Sequence, residues 1–219
     1  MAFAFPMAVA DFLDLLPIKS LSLECPEVSE VSRTSGGELI PANIGTRLWQ
    51  GEVKLGRIRR QKAREIEALI DVMRASGASF MAYRTTSPFP AADPDGSLLG
   101  AATPQIKALS NDARIIQLKG LPAGYTLTRG DELSFSYRTD PVRFALHRVA
   151  EVSVTATGAG ETAFFQVTPN LRPGAAVDAA VQLIKPQCKA MIVPGSVRPG
   201  HTNRFITDGM NFDFMQTLR

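Results

Sequence analysis

The sequence predicts a mainly β protein: an antiparallel β-sandwich or split barrel with one amphipathic helix, at about residues 60–75, and an inserted small β-barrel-like unit. Residues 131–186 form short runs rich in Val, Phe, Leu and Thr, and each run is bounded by Gly, Pro, Asp or Asn, as strands and their turns are. Only one stretch of the chain carries a sustained helical period of apolar residues. The strands predicted after Pro186 have no partner of their own, so they most simply return to the N-terminal sheet.

The first part of the chain predicts a packed segment followed by a small sheet. Residues 3–16 are apolar at near-helical spacing, which predicts a short helix or a packed arm that ends at Pro17. Alternating runs then predict strands at Ile18–Glu24, Val28–Thr34, Glu38–Ile40 and Gly45–Leu55, with a Ser-Gly-Gly turn at residues 35–37 and the only tryptophan, Trp49, on the last strand.

The helix is predicted over Arg60–Ala75 by a single apolar stripe. Charged residues fill the opposite face, and Gly77 provides a C-terminal stop. The stripe consists of Ala63, Ile66, Leu69, Ile70 and Met73.

After the helix, the sequence predicts a long loop and then a series of strands. Residues 85–100 contain three prolines and two glycines, which is typical of an exposed loop. The long run Val142–Thr155 shifts its alternation near Ala150, which suggests a bulge. Strands are predicted at Ser79–Tyr83, Gln105–Leu109, Ala113–Leu118, Leu133–Tyr137, Val142–Thr155, Thr162–Thr168, Val181–Ile184, Cys188–Val193, Arg204–Thr207 and Met210–Leu218.

This order predicts two domains. Residues 1–104 together with 186–219 are expected to form one domain, and residues 105–185 are expected to form an inserted β domain. The division follows from the return of the closing strands to the N-terminal sheet, which makes the intervening β-unit an insertion.

Composition limits the class of protein. The 219 residues are 45% hydrophobic and 21% charged, an ordinary globular balance. No window approaches the ~18 apolar residues of a membrane helix, so we expect no membrane insertion. The N-terminus lacks a basic region, and Asp11 and Asp14 interrupt its apolar run, so we expect mature structure and no signal peptide. The net charge of +3 is too small to indicate nucleic acid on its own.

The sequence contains no recognisable catalytic, cofactor or metal motif. His147 is expected on a half-exposed sheet face and His201 in a solvated turn. Asp93 and Asp95 are expected to be turn formers, and they match only part of a calcium loop. Cys25 and Cys188 are expected to be reduced and to pack as small apolar side chains. We therefore expect no enzyme activity, cofactor or metal.

Two segments are candidates for contacts between subunits. The first is a basic cluster that begins before the predicted helix, where cations oppose the helix dipole and so favour an acidic partner. A neighbouring subunit is the preferred partner over a phosphate backbone, because no aromatic residues accompany the cluster. The second is the apolar N-terminus, which we expect to dock on another subunit, so that deletion of residues 1–16 would leave a soluble protein that no longer assembles. The residues concerned are Phe3, Phe5, Phe12, Arg57, Arg59, Arg60, Lys62 and Arg64.

The order of these features resembles that of a phage or prophage distal tail protein, the ring between tail tube and tail tip. The features are the tryptophan strand at residues 47–51, the helix at 60–75 with its Pro/Gly loop ending at Gly100, the stretch 115–121, the Gly-Asp strand start at 130–135, the long strand around 147–154, the step into proline at 165–171, the close at 181–186 and the phenylalanine-bearing end at 212–218.

The resemblance implies a structural virion protein that is assembled in the host cytoplasm. Proteins of this type resemble tail-tube subunits and form hexameric rings that contact the tail tube, the tail-tip hub and the tape measure protein, with DNA only as passing cargo. No large C-terminal carbohydrate module is seen in this sequence, so adhesion is expected to depend on other tip proteins.

Other functions remain open at this point. The nearest alternative is a tube, terminator or other tail-tip subunit, since these share the fold. A binding module for glycans or single-stranded nucleic acid would need exposed aromatics on one sheet face. The chain has only one Trp and three Tyr, which makes this function less favoured. A hydrolase built on Asp93 and Asp95 ranks lowest.

Overall fold

The computed structural model describes residues 3–219 and confirms the predicted fold class. Strands account for 38% of the residues and helices for 9%, arranged as a half-barrel and a nearly closed barrel with one short helix. All the pairings between strands described below are antiparallel.

Within residues 3–219 there is one α-helix, α1 (Arg60–Met73), and two short 3-10 turns, Val9–Asp11 and Leu13–Leu15. The strands in chain order are β1 (Ile18–Leu21), β2 (Ser29–Arg33), β3 (Leu39–Asn43), β4 (Gln50–Leu55), β5 (Ile58–Arg59), β6 (Phe80–Tyr83), β7 (Gln105–Leu109), β8 (Ile115–Lys119), β9 (Thr126–Thr128), β10 (Glu132–Tyr137), β11 (Arg143–Val149), β12 (Ser153–Thr155), β13 (Phe165–Thr168), β14 (Val181–Gln182), β15 (Gln187–Ile192), β16 (His201–Thr202), β17 (Ile206–Asp208) and β18 (Asn211–Gln216).

The half-barrel is a five-stranded sheet built from both ends of the chain, in the order β1-β4-β18-β15-β6. The closing strands β15 and β18 lie between β4 and β6, as expected from their lack of a partner in sequence. Alternate residues of β18 face the core, since Phe212 and Phe214 are buried and Asp213 and Met215 are exposed. The last strand of the chain is therefore the central strand of this sheet.

Helix α1 covers one face of the half-barrel through the predicted apolar stripe. Four members of the stripe are buried and Leu69 is partly buried against the same core. The helix has no side-chain N-cap and ends shortly before Gly77, whose positive φ suits glycine. It ends at Met73, within two residues of the prediction.

The second barrel is a six-stranded sheet in the order β14-β10-β11-β13-β8-β7. Its two edges approach each other, because Gln105 at the start of β7 bridges Ala180 beside β14, and the Val181 amide donates to the carbonyl of Pro104 at 2.8 Å. This sheet encloses a second apolar cluster drawn from residues 99–183. The boundaries of the two predicted domains stay a prediction, although the two sheets divide the chain in a similar way.

The long strand predicted over Val142–Thr155 is two strands. β11 ends at Val149, and the chain then leaves the barrel sheet, so that β12 pairs with β9, a strand that the sequence did not indicate. Two backbone hydrogen bonds fix the chain where it leaves the sheet: the Val149 amide donates to the carbonyl of Asp131, and the Arg129 amide donates to the carbonyl of Val152. The irregularity near Ala150 is therefore a break between sheets, not a bulge within one.

The Pro/Gly loop 85–100 was expected to be exposed, and this is wrong for its centre. The Asp93 carboxylate is completely buried and accepts hydrogen bonds from the amides of Leu98 and Leu99, both at 3.0 Å, and from the Tyr125 hydroxyl at 3.2 Å. Leu99 is buried in the second core. Asp93 therefore folds the loop onto the barrel, and this structural role accounts for the residue.

The expectation that His147 lies on a half-exposed face is also wrong. β11 lies between the two cores, with Leu146 in the first and Ala145 and Val149 in the second. His147 is on the side of the second core, where its ring stacks on Phe135 with centroids 5.5 Å apart. Because both cores contact β11, a polar residue at the middle of this strand does not mark a solvent face, whereas Arg143 and Arg148 stay partly exposed.

Candidate assembly surfaces

His147 and Cys188, two residue types that often take part in catalysis, are both buried. In residues 3–219 no group of three or more His, Cys, Asp and Glu side chains could hold a metal ion. Burial lowers the pKa of His147 to about 4, and its Nδ1 lies 2.7 Å from the carbonyl oxygen of Pro169. Burial likewise raises the pKa of the Cys188 thiol to about 12. A neutral buried imidazole and a protonated buried thiol have no access to a substrate.

Where the two barrels meet, polar side chains join them. The buried carboxylate of Glu132 on β10 accepts from Arg84 at 2.9 Å and from Arg148 at 3.0 Å. The Arg148 guanidinium lies over the Trp49 ring, 5.2 Å from its centroid. Trp49 in turn donates from Nε1 to the carbonyl of Leu146 at 2.7 Å. This junction ties the loop before β4 to β11.

The N-terminal segment is divided between core and surface. Phe12, which we expected to contact another subunit, is fully buried in the chain's own core, with its ring 4.7 Å from Phe80 and 6.1 Å from Phe212 between centroids. Phe12 therefore has no surface to offer a neighbour. Phe3 and Phe5 remain exposed, at 54% and 43%.

The burial of this segment also overturns the expected effect of deleting residues 1–16. Met7 forms a parallel bridge with Phe80 and is buried, as are Leu13 and Leu16. Because their removal takes several side chains out of the first core, we expect the truncated chain to lose stability, and its loss of rings would carry no information about assembly. Phe3 and Phe5 are the two residues of the segment through which docking on a neighbour can be tested.

The five basic residues expected at an interface all lie exposed around the N-terminus of α1; we call them the basic patch. Arg57 binds Asp208 at 3.1 Å, a hydrogen bond that holds the pKa of Asp208 below its usual value, and Lys62 pairs with Glu65 at 3.2 Å. The other three cations have no acidic partner within the part of the chain described here. They are Arg59, Arg60 and Arg64.

An apolar side chain adjoins the basic patch. β17 pairs with β5, and the Arg60 amide donates to the carbonyl of Phe205 at 3.0 Å. The Phe205 side chain is 68% exposed, and the Arg204 guanidinium lies over its ring. An exposed phenylalanine among unpaired cations is a surface suited to an acidic and apolar partner.

A second surface lies at residues 24–44, here called the acidic hairpin. β2 and β3 pair only with each other, and no residue of either strand is buried. Four large apolar side chains are between 53% and 65% exposed, and an isolated two-stranded hairpin is at best marginally stable in water. These side chains are Val31, Leu39, Ile40 and Ile44.

The sequence predicted the two strands of this hairpin but not their isolation. A signal was present, because apolar residues occur on both faces of the hairpin. Val31 and Leu39 lie on one face, and Ile40 and Ile44 lie on the other. A strand that packs on a core in its own chain usually carries apolar residues on one face only.

A ligand-binding site of the stacking type finds little support. Trp49 and all three tyrosines, Tyr83, Tyr125 and Tyr137, are buried. A cavity of about 520 Å³ lies beside β10 and β14, lined mainly by aliphatic residues together with Phe135 and Phe144. No sheet face among the described residues presents the row of Trp or Tyr side chains that glycan or single-strand stacking requires.

Comparison with protein-family models and with curated protein sequences finds no match for this chain. Among residues 3–219 we find no helix with the length and apolar character that a membrane crossing requires.

Proposed function

We propose that this protein is a structural subunit of a phage tail that forms a homo-oligomeric, hexameric ring at the distal end and joins the tail tube to the tail-tip hub. It would be assembled in the host cytoplasm and would reside in the virion. Its partners would be copies of itself, the tube protein, the hub protein and the tape measure protein.

The architecture is the observation that carries this proposal. The first and last strands form one half-barrel with a single helix, and the middle of the chain forms a second barrel. This is the arrangement that the resemblance to distal tail proteins implies, a tail-tube-like unit carrying an additional β unit. The link from fold to function is an analogy, since one fold hosts many functions.

The surfaces support an assembly role independently of the fold. The acidic hairpin exposes four large apolar side chains, and three arginines of the basic patch lack acidic partners within residues 3–219. A soluble monomer gains nothing from either feature, whereas subunits in a ring can cover apolar side chains and neutralise charges.

Two measurements test the proposal. Light scattering with negative-stain imaging of the purified protein should give an open ring of six times 23.7 kDa, about 142 kDa. Gold-labelled antibody against the protein should then bind at the distal tip of the tails on particles from cells that carry this gene. A chain that stays monomeric both alone and with the tube and hub proteins of the same phage, and that is missing from particles, would contradict the proposal.

The position of the gold label separates the alternatives. Label along the whole tail would indicate a tube subunit, and label at the head-proximal end would indicate a terminator. Absence from particles together with binding in a glycan or oligonucleotide screen would favour a separate binding module, for which the buried Trp and Tyr side chains offer little support.

A further inference from the structure

We propose that the acidic hairpin of one subunit docks on the basic patch of the next copy of the same chain, head to tail. This inference rests on the proposed ring and names the two surfaces that would close it. It commits to a second copy of this chain as the partner of both surfaces.

The two surfaces adjoin opposite ends of β4. β1 pairs with β4, Glu24 bridges Gln50, and the Ile44 amide donates to the carbonyl of Val28, so both chain segments that lead to the hairpin leave the sheet at the Gln50 end of β4, and β2 and β3 form a separate two-stranded sheet. The hairpin extends beyond the Gln50 end of β4, whereas the chain enters the basic patch just after Leu55. The six residues of β4 separate these ends by about 17 Å.

The charges at the two ends are opposite. Residues 24–44 carry four acidic residues, Glu24, Glu27, Glu30 and Glu38, and one basic residue, Arg33. Residues 56–64 carry five basic residues and no acidic one. None of the four glutamates forms an ion pair within residues 3–219, and neither do three of the five cations. The hairpin therefore supplies carboxylates that can pair with the unpaired cations of the basic patch.

Apolar side chains accompany the charges on both surfaces. The hairpin presents Ile40 and Ile44 on the face that also carries Glu30, and the basic patch adjoins Phe205. Apolar contacts supply most of the affinity of an interface, and complementary charge fixes its partner and register. The mixture of exposed aliphatics and carboxylates on one hairpin matches an exposed aromatic ring among guanidinium groups.

A contact between two different surfaces of identical subunits is heterologous. Such contacts generate a closed ring when the rotation between neighbours closes, whereas a self-complementary patch would stop at a dimer. The separation of the two surfaces at opposite ends of β4 lets each subunit use both at once. This is the contact type that a homo-oligomeric ring requires.

Charge reversal tests the pairing. The hairpin variant is E27K/E30K and the patch variant is R59E/R60E. Both change exposed side chains, and a glutamate at residue 60, the first residue of α1, favours the helix dipole, so neither variant is expected to lose its fold. The control D71K/E151K reverses two exposed acids elsewhere. Thermal melting checks the fold of every variant, and light scattering with imaging reads the assembly.

The proposal predicts a specific pattern of rescue. Each variant alone places like charges at its interface and should stay monomeric at ten times the concentration at which the wild type forms rings. An equimolar mixture restores opposite charges at every contact of an alternating ring, and the chain that carries all four changes restores them alone. Both should form rings, as should the control.

Three outcomes decide the matter. Rings from each folded variant alone would overturn the docking of hairpin on patch and leave the ring function in place. Loss of rings without rescue by the mixture or by the fourfold variant would also overturn it, because the two surfaces would then not meet each other. A wild-type chain that forms no ring under any condition overturns the proposed function itself.

Discussion

Trp49 and Leu146 are joined by a 2.7 Å hydrogen bond from the indole Nε1 to the main-chain carbonyl, across 97 positions of sequence. Leu146 lies on β11, the strand between the two cores, and Trp49 precedes β4 of the half-barrel. The bond therefore fixes one barrel against the other at a point from which water is excluded. Removing this hydrogen bond should lower the free energy of unfolding.

The first prediction replaces Trp49 by phenylalanine. The carbonyl of Leu146 would lose its donor in a buried site, which costs about 1–3 kcal/mol, and the smaller ring adds a cavity term. We expect a lower midpoint of urea unfolding, followed by circular dichroism because the variant lacks the only tryptophan. Phe164→Leu changes an exposed ring and should stay within about 0.5 kcal/mol of the wild type. Equal stability of wild type and Trp49→Phe would show that the bond contributes nothing.

The second prediction concerns Glu132 and its two arginines. Glu132→Gln removes the only charge between Arg84 and Arg148, whose side chains are 21% and 35% exposed. Removing one partner of a fully buried ion pair costs about 3–5 kcal/mol, and the partial exposure of the arginines reduces this to about 2–3 kcal/mol.

The matched control for Glu132 is Glu161→Gln. Glu161 pairs with Lys107 at the surface, where the side chain is 38% exposed, and such a pair contributes less than about 1 kcal/mol. Chemical denaturation of both variants measures the difference. A smaller loss at Glu132 than at Glu161 would contradict the structural role of the junction.

The third prediction is a pH dependence due to His147. Its pKa in the folded protein is lowered by burial to about 4, so the unfolded chain, with a pKa of about 6.5, takes up the proton first as the pH falls. Stability should therefore be unaffected by this group above pH 6.5 and fall between pH 6.5 and 4, by about 2 kcal/mol at pH 5.

Urea unfolding at pH 7.5 and at pH 5 measures this loss. His147→Phe removes the titrating group, so its stability should change less between the two pH values than that of the wild type. An identical change in both proteins would show that the loss at low pH comes from other groups.

The fourth prediction separates the two parts of the N-terminal segment. Phe12→Ala should cost about 3–5 kcal/mol, because it leaves a cavity beside Phe80 and Phe212. Phe3→Ser with Phe5→Ser changes only exposed rings and should stay within about 0.5 kcal/mol of the wild type. If the exposed rings contact a neighbour, the second variant should have a larger monomeric fraction in light scattering at equal stability. An unchanged fraction would remove both residues from the interface.

Regular local patterns were sufficient to predict much of this fold. The stripe from Ala63 to Met73 predicted α1, because only a helix places those residues on one face. The unpartnered runs near Cys188 and Phe212 predicted the return of β15 and β18 to the first sheet. The first inference uses information within the helix itself, and the second uses the order of the predicted strands along the chain.

The features that the sequence did not predict depend on contacts between residues far apart in the chain. An apolar N-terminus has the same sequence whether Phe12 packs on its own core or on a neighbour's, and only the position of Phe80 decides this. His147 is buried because a second core covers the other face of β11, a relationship between residues far apart in sequence. The break after Val149 depends on pairing with β9. The acidic hairpin is isolated because no other described strand pairs with β2 or β3, which the local sequence does not reveal.

The central place of β18 has a consequence for synthesis. Because this strand lies between β4 and β15, the half-barrel stays in two unjoined parts until β18 has been translated. The edges of β4 and β15 stay unpaired until β18 is made, and a chain that terminates before β18 leaves them unpaired. Translation through β18 is thus a precondition for a finished first barrel, so products that stop before β18 cannot present the fold on which assembly would depend.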